Sequence, residues 1–147
     1  MQFELATPTR LLVSAEVDEV VAPGTEGYFG VWENHAPLLA TLGAGELMYR
    51  QGREEHHVAV IGGFAEVTPG RVIVLAEHAE LPEEIDVPRA ERAKQRAEHR
   101  LAGRIPEGAA DEGGIDFARA LEALARALTR LMVAQRARHV AGARAGH

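Results

Sequence analysis

Over the first 80 positions apolar residues recur at every second place, in short runs cut by Gly and Pro. Phe3 and Leu5 alternate with polar neighbours. Leu11, Val13, Ala15 and Val17 do so again, and Val20-Val21 leads into Pro23-Gly24. Glu46–Arg50 ends at Gln51-Gly52, His57–Ile61 ends at Gly62-Gly63, and Phe64, Glu66 and Thr68 lead to Pro69-Gly70. Successive strand side chains point to opposite faces, so a period of two predicts strands with one buried and one wet face. Val72–Ala76 is apolar throughout and predicts a strand buried on both faces. Short strands at this spacing, with Gly and Pro between them, predict an antiparallel β-sandwich over residues 1–84.

The pattern changes across Leu81–Ala90. Asp86 stands where a helix N-cap belongs, its carboxylate able to accept first-turn N–H groups, and Pro88 is tolerated in that turn. A helix is predicted from Asp86 to about Ala102, stopped by Gly103, with a small face of Ala90, Ala93, Ala97 and Leu101 and arginines on its flanks. Gly103–Gly114 reads as a long connection and Asp116 as the cap of a second helix. Phe117, Leu121, Leu124, Leu128 and Leu131 give that helix an apolar stripe at spacings of 4, 3, 4 and 3, with Ala120, Ala123 and Ala127 beside it. The tail after Arg138 is expected to fray. The predicted fold class is therefore α+β, an N-terminal antiparallel β-sandwich followed by a C-terminal two-helix antiparallel hairpin over residues 85–147. Two helices of this length are marginal alone. The hairpin needs the sandwich, another subunit or a ligand to hold it, which makes it a candidate switch.

Charge sharpens the division. Residues 1–85 carry 4 Arg or Lys and 14 Asp or Glu, a net of −10; residues 86–147 carry 12 and 8, a net of +4. The total of −6 argues against a nucleic-acid binder. The absence of Cys among 147 residues excludes disulfides and thiolate metal sites and fits a reducing compartment. No apolar run reaches the roughly 18 residues of a membrane span, and the N-terminus lacks a signal-peptide layout.

Catalytic constellations are missing. Ser14 is the only serine and lies in a strand-like run. His56 and His57 are adjacent, so a strand would point them to opposite faces. Glu54-Glu55 and Glu83-Glu84 read as solvated turn charges. The segment Gly27–Ala40, with the chain's one Trp, is neither a phosphate loop nor a dinucleotide fingerprint. It reads as a corner of the sandwich or as a binding surface.

Three stretches, in this order, resemble one family across essentially the whole chain. The first is Gly27-Tyr28-Phe29-Gly30-Val31 leading to His35-Ala36-Pro37-Leu38-Leu39, with Leu42 and Gly45 beyond. The second is Val60-Ile61-Gly62-Gly63-Phe64-Ala65-Glu66-Val67, followed by Val74-Leu75-Ala76-Glu77 and Ala79. The third is Ile85-Asp86-x-x-Arg89-Ala90 with Ala93-Lys94 and Arg96-Ala97. Together they resemble the epsilon subunit of bacterial and chloroplast F-type ATP synthases.

The resemblance implies a flattened β-sandwich with two helices and no catalytic activity of its own. It implies a place in the central rotor, joining the gamma subunit to the ring of c subunits, with helices that extend into the alpha/beta catalytic head and block ATP hydrolysis. It implies a peripheral position on the cytoplasmic face of the bacterial inner membrane, without membrane insertion or nucleic acid. No cofactor is required, but ATP is implied as a regulatory ligand of the folded hairpin in some members. By motif, Glu80, Ile85, Asp86, Arg89, Ala90 and Arg96 correspond to nucleotide-site residues. Ile115-Asp116-Phe117 with Arg126 and Arg130 matches on the second helix. Trp32, Glu33 and His35 occupy the turn implied to face a partner. Two alternatives remain at this stage: a purely structural rotor coupling without nucleotide sensing, and a small-ligand-binding β-sandwich module.

Overall fold

The computed structural model describes residues 1–103 and 117–145. Seven strands form first: β1 Gln2–Ala6, β2 Leu11–Glu16, β3 Glu19–Gly24, β4 Gly27–Trp32, β5 Leu38–Gln51, β6 Glu54–Thr68 and β7 Arg71–Glu80. A 3-10 turn at Pro82–Glu84 leads to α1 Val87–Leu101, and α2 spans Phe117–Ala145. The strands make one sheet in the order β2-β1-β7-β6-β5-β3-β4. Its pairings are antiparallel except β1 with β7, where Gln2–Ala6 runs parallel to Arg71–Leu75. Phe3 and Val13 from one end of that order share a single buried cluster with Val20 and Val31 from the other. The sheet therefore closes over itself, and the predicted sandwich holds.

The three central strands each change face at one level. In β6, Val58 and Val60 enter the core before Gly62-Gly63, and Ala65 and Val67 enter after it. In β5 the core residues Leu42 and Leu47 lie on either side of Gly43 and Gly45. In β7 they are Ala76 and Ala79. The ladder aligns these points, since Leu42 faces Gly63 and Gly63 faces Ala76. Gly62 and Gly63 have φ of 71° and 121°, and a Cβ on Gly63 would lie 2.1 Å from the Leu75 carbonyl oxygen. Only glycine fits there. The glycine pair that reads as a strand end thus lies inside a continuous strand, whose register to both neighbours runs unbroken across it.

Burial also differs from the expectation in which strand is covered twice. The run buried at every position is His57–Ile61, not Val72–Ala76 as its composition suggests. Leu75 is exposed, because β7 alternates faces regularly from Val72 to Ala76, ahead of its own switch. Gly27–Trp32 resolves as edge strand β4, paired with β3.

The hairpin follows its sequence signals at both ends of α1. The Asp86 carboxylate accepts the Arg89 backbone N–H at 3.1 Å, and Pro88 sits in the first turn. Gly103, at φ 73°, follows the last turn, and its N–H donates to the Arg100 carbonyl. Ala90 and Ala97 of α1 and Ala120 and Ala127 of α2 are buried where the two helices pack. The predicted leucine stripe of α2 does not supply this face. Phe117, Leu121 and Leu128 are exposed, while Leu124 and Leu131 are half-buried. Small side chains let the helix backbones approach, whereas leucines at the same positions would hold them apart, so the alanines turn inward. The connection beyond Gly103 and the Asp116 cap fall outside the described residues. The helical backbone of α2 continues to Ala145, through the tail expected to fray.

Candidate functional site: an arginine-lined groove

A groove of ≈ 510 Å³ opens between the two helices at the sandwich edge. This lies within the roughly 300–1,000 Å³ usual for small-molecule sites. Glu80 enters it from the end of β7, Glu84 from the 3-10 turn and Asp86 from the α1 cap. Arg89, Arg96 and Arg100 enter from α1, spaced by seven and four residues, so one face presents all three. Arg126 and Arg130 enter from α2, one turn apart. Alanines on both helices, among them Ala90, Ala93 and Ala123, leave room between them.

The carboxylates are already engaged. Arg130 Nε donates to Glu80 Oε1 at 2.7 Å, tying α2 to the end of the sheet. Glu84 is held by Arg10, whose Nη1 donates to Oε1 at 2.7 Å, and Glu84 also accepts the Leu81 N–H. This guanidinium holds the Glu84 carboxyl below the usual carboxylate range, and the carboxylate in turn raises Arg10. Glu84 is therefore not a free turn charge but the anchor of the turn to the β1–β2 loop. Among the described residues, no carboxylate pairs with the side chains of Arg89, Arg96, Arg100 or Arg126. Planar guanidinium forks around one cavity suit bidentate bonds to phosphate oxygens.

Of the nucleotide-site residues implied by motif, Glu80, Asp86, Arg89, Ala90, Arg96, Arg126 and Arg130 line this groove. Ile85 does not. It is buried with Ala59, Val133 and Ala134, where α2 sits on the sheet. Arg100 and Glu84 line the groove without having been predicted. Arg100 was signalled by its place one turn after Arg96; Glu84 had no such signal.

A second polar cluster joins α2 to the sheet. The buried Glu46 carboxylate of β5 lies 2.7 Å from His57 Nδ1 and accepts from Arg136 Nε of α2 at 3.0 Å. His56 points to the other face, as its register requires, and stacks on Tyr49 at 4.8 Å between ring centroids. Trp32 ends β4, Glu33 and His35 lie in the β4–β5 turn, and none of the three lines the groove. Trp32 and Glu33 are exposed, and His35 is half-buried with its Nδ1 2.6 Å from the Ala36 carbonyl.

Residues 1–82 match the family model of the ATP synthase delta/epsilon chain β-sandwich domain, and residues 83–135 match that of its long α-helix domain. The chain belongs to the ATP synthase delta/epsilon chain family. Its relatives in this family include the ATP synthase epsilon chain of Nitratidesulfovibrio vulgaris (strain DP4), 50% identical over 133 residues, 90% of this chain and 94% of the relative. The ATP synthase epsilon chain of Moorella thermoacetica is 47% identical over 135 residues, 91% of this chain and 96% of the relative. A chain of the Euglena gracilis mitochondrial ATP synthase (OSCP/F1/c-ring) shares the fold at TM-score 0.72 and 24% identity, over 90% of this chain and 79% of that one. Members of this family are non-catalytic stalk subunits.

Proposed function

We propose that this chain is the rotor subunit of a proton-translocating F-type ATP synthase, joining the gamma subunit to the c-ring. In this reading its hairpin is a brake on ATP hydrolysis, and ATP in the arginine-lined groove holds it retracted. The Trp32–His35 turn faces the c-ring, and the complex places the chain at the cytoplasmic face of the bacterial inner membrane. Among the described residues no helix is long and apolar enough to cross a membrane. One observation carries the regulatory part: among the described residues, four arginines without carboxylate partners surround a cavity to which both helices contribute. A polyanion there binds only while the helices are together, and so stabilises the closed hairpin. At one hundred times its dissociation constant such a ligand contributes about 2.7 kcal/mol, enough to bias a two-state element.

A second reading is structural coupling with the hairpin permanently down. The Arg130–Glu80 and Arg136–Glu46 pairs favour it, since they fasten α2 without any ligand. Truncation after Ile85 separates the two. Faster hydrolysis by the assembled complex supports the brake, and an unchanged rate supports structural coupling. Calorimetric titration of the isolated chain with ATP, with Arg126→Ala and Arg130→Ala beside it, tests the ligand. A saturable signal that both substitutions weaken is expected.

A further inference from the structure

The cluster that seats the far half of α2 contains a titratable group that belongs to the sheet. His57 of β6 stands opposite Met48, two residues along β5 from Glu46, so the His57 and Glu46 side chains share a face. Both are buried. The Glu46 carboxylate lies 2.7 Å from His57 Nδ1, and the other ring nitrogen, Nε2, lies 3.6 Å from Glu55 of the same strand. From α2, Arg136 Nε lies 3.0 Å from each Glu46 oxygen. Among the described residues, Glu46 is the one carboxylate that pairs with the Arg136 side chain. Tyr28 of β4 closes the cluster on another side, its hydroxyl accepting the Glu46 backbone N–H at 3.1 Å, while β3 adds only Val21 there. A neighbouring cavity that His57 also lines adds Tyr49, His56 and, from the 3-10 turn, Glu83. Two basic groups on different elements therefore meet on one buried carboxylate.

We propose that His57 is a proton-operated release for α2. A neutral His57 with its proton on Nδ1 donates one hydrogen bond to Glu46 and leaves the carboxylate charge to Arg136. A protonated His57 finds acceptors for both nitrogens on the sheet itself, Glu46 at Nδ1 and Glu55 toward Nε2. It then cancels the charge that Arg136 came for and repels the guanidinium across the shared carboxylate. With α2 seated, Arg136 opposes the proton; with α2 lifted, Glu46 and Glu55 are left to attract it. The lifted state thus takes up more protons, so acid favours lifting, and seating strengthens as pH rises through the range where imidazole loses its charge. The inference rests on the reading above only in that the hairpin can leave the sheet; in that reading the freed hairpin is the brake, and acid engages it.

The test is hydrogen exchange of the full chain from pH 8 to pH 5, each rate divided by that of an unstructured amide at the same pH. Protection at Val133 and Ala134, buried in the seat, is compared with protection at Val60–Val67 of β6. In wild type the seat is expected to lose about fivefold or more relative to β6 as the pH falls. His57→Gln keeps a donor for Glu46 but cannot titrate, and the relative protection should become flat. Arg136→Gln needs no change inside the sheet and guards against a His57 variant that fails to fold. It removes the opposing cation, so the seat should already be weakly protected at pH 8 and change little down to pH 5. His56→Gln, which alters the histidine stacked on Tyr49, should keep the wild-type slope. A flat wild-type profile, a slope that survives His57→Gln or Arg136→Gln, or one that disappears in His56→Gln would overturn the release and leave a detachable hairpin standing. A seat as protected as β6 at every pH would overturn both, since α2 then never leaves the sheet on its own.

Discussion

The sandwich core and the seat of the hairpin are built on different principles. Among the described residues the core gathers 17 buried apolar side chains, with Phe3, Leu5, Leu47 and seven valines of β3–β7 among them. The seat gathers four, Ala59, Ile85, Val133 and Ala134, with Val87 against them. The rest of the seat is ionic, through Arg130–Glu80 and the Glu46 cluster. Large apolar faces are costly to return to water, whereas charged groups regain hydration when they part. The sandwich is therefore a permanent body, and the hairpin is fastened by contacts that water can replace. Phe117, Leu121, Leu128 and Met132 share one face of α2 and are already exposed, so lifting the helix does not first have to uncover them.

The largest effect should come from the core. Leu47 is fully buried, and Leu47→Ala is expected to cost about 2–5 kcal/mol in denaturant unfolding, lowering sheet and hairpin together. Gly63→Ala should follow at about 3 kcal/mol, because a Cβ there meets the Leu75 carbonyl at 2.1 Å and φ is 121°. Gly52→Ala supplies the comparison. It too has positive φ, but a Cβ finds nothing within 4 Å, so about 1 kcal/mol is expected. Similar losses at the two glycines would refute the close approach as the reason for Gly63.

The seat should respond differently. Glu46→Gln keeps the shape but removes the charge that Arg136 and His57 share. The expected cost, about 1.5–3 kcal/mol, falls on docking rather than on the sandwich. Hydrogen exchange should quicken in α2 up to Ala137 and stay slow at Val58–Val67. Uniform quickening in both regions would mean that seat and core are one cooperative unit.

The same contrast decides what could be read from the sequence. Period-two strands, the Asp86 cap and the Gly103 stop are local, and each stands where its residues say. The groove was largely legible because spacings of four and seven residues survive folding as one helical face, which brings Arg89, Arg96, Arg126 and Arg130 to it. Ile85, implied by motif alone, turns into the seat of α2 instead, because it precedes the helix by two residues, where no periodicity fixes direction. The continuity of β6 through Gly62-Gly63 was hidden because a glycine pair signals a turn as readily as a positive-φ stretch inside a strand, and only the neighbouring strands decide. In α2 the alanines and the leucines each form a face, and periodicity alone cannot say which one meets α1. The pairs that fasten the hairpin, Arg130–Glu80 and Arg136–Glu46, join residues 50 and 90 positions apart and carry no local sign.

The smallest effect belongs to the anchor of the seam. Arg10 and Glu84 form a partly exposed pair, so its contribution is screened by water and lies below the others. Its signature is in the pH dependence. The native Glu84 carboxyl is held below its ordinary value of 4.5, first by the Arg10 hydrogen bond. A carboxyl whose folded pKa is depressed stabilises the fold fully above its unfolded pKa and loses that contribution as pH falls through the folded value. Arg10→Gln removes the cause and leaves every other carboxylate in place. The melting temperature of wild type minus variant should therefore be constant from pH 7 to about pH 5. It should begin to shrink only below 4.5 and continue shrinking as the acid titrates Glu84. A difference that shrinks between pH 7 and pH 5 would assign the effect to a histidine. One that persists unchanged to pH 3 would show that Arg10 stabilises the seam without the Glu84 charge, through its weaker bond to the Ala79 carbonyl at 3.5 Å.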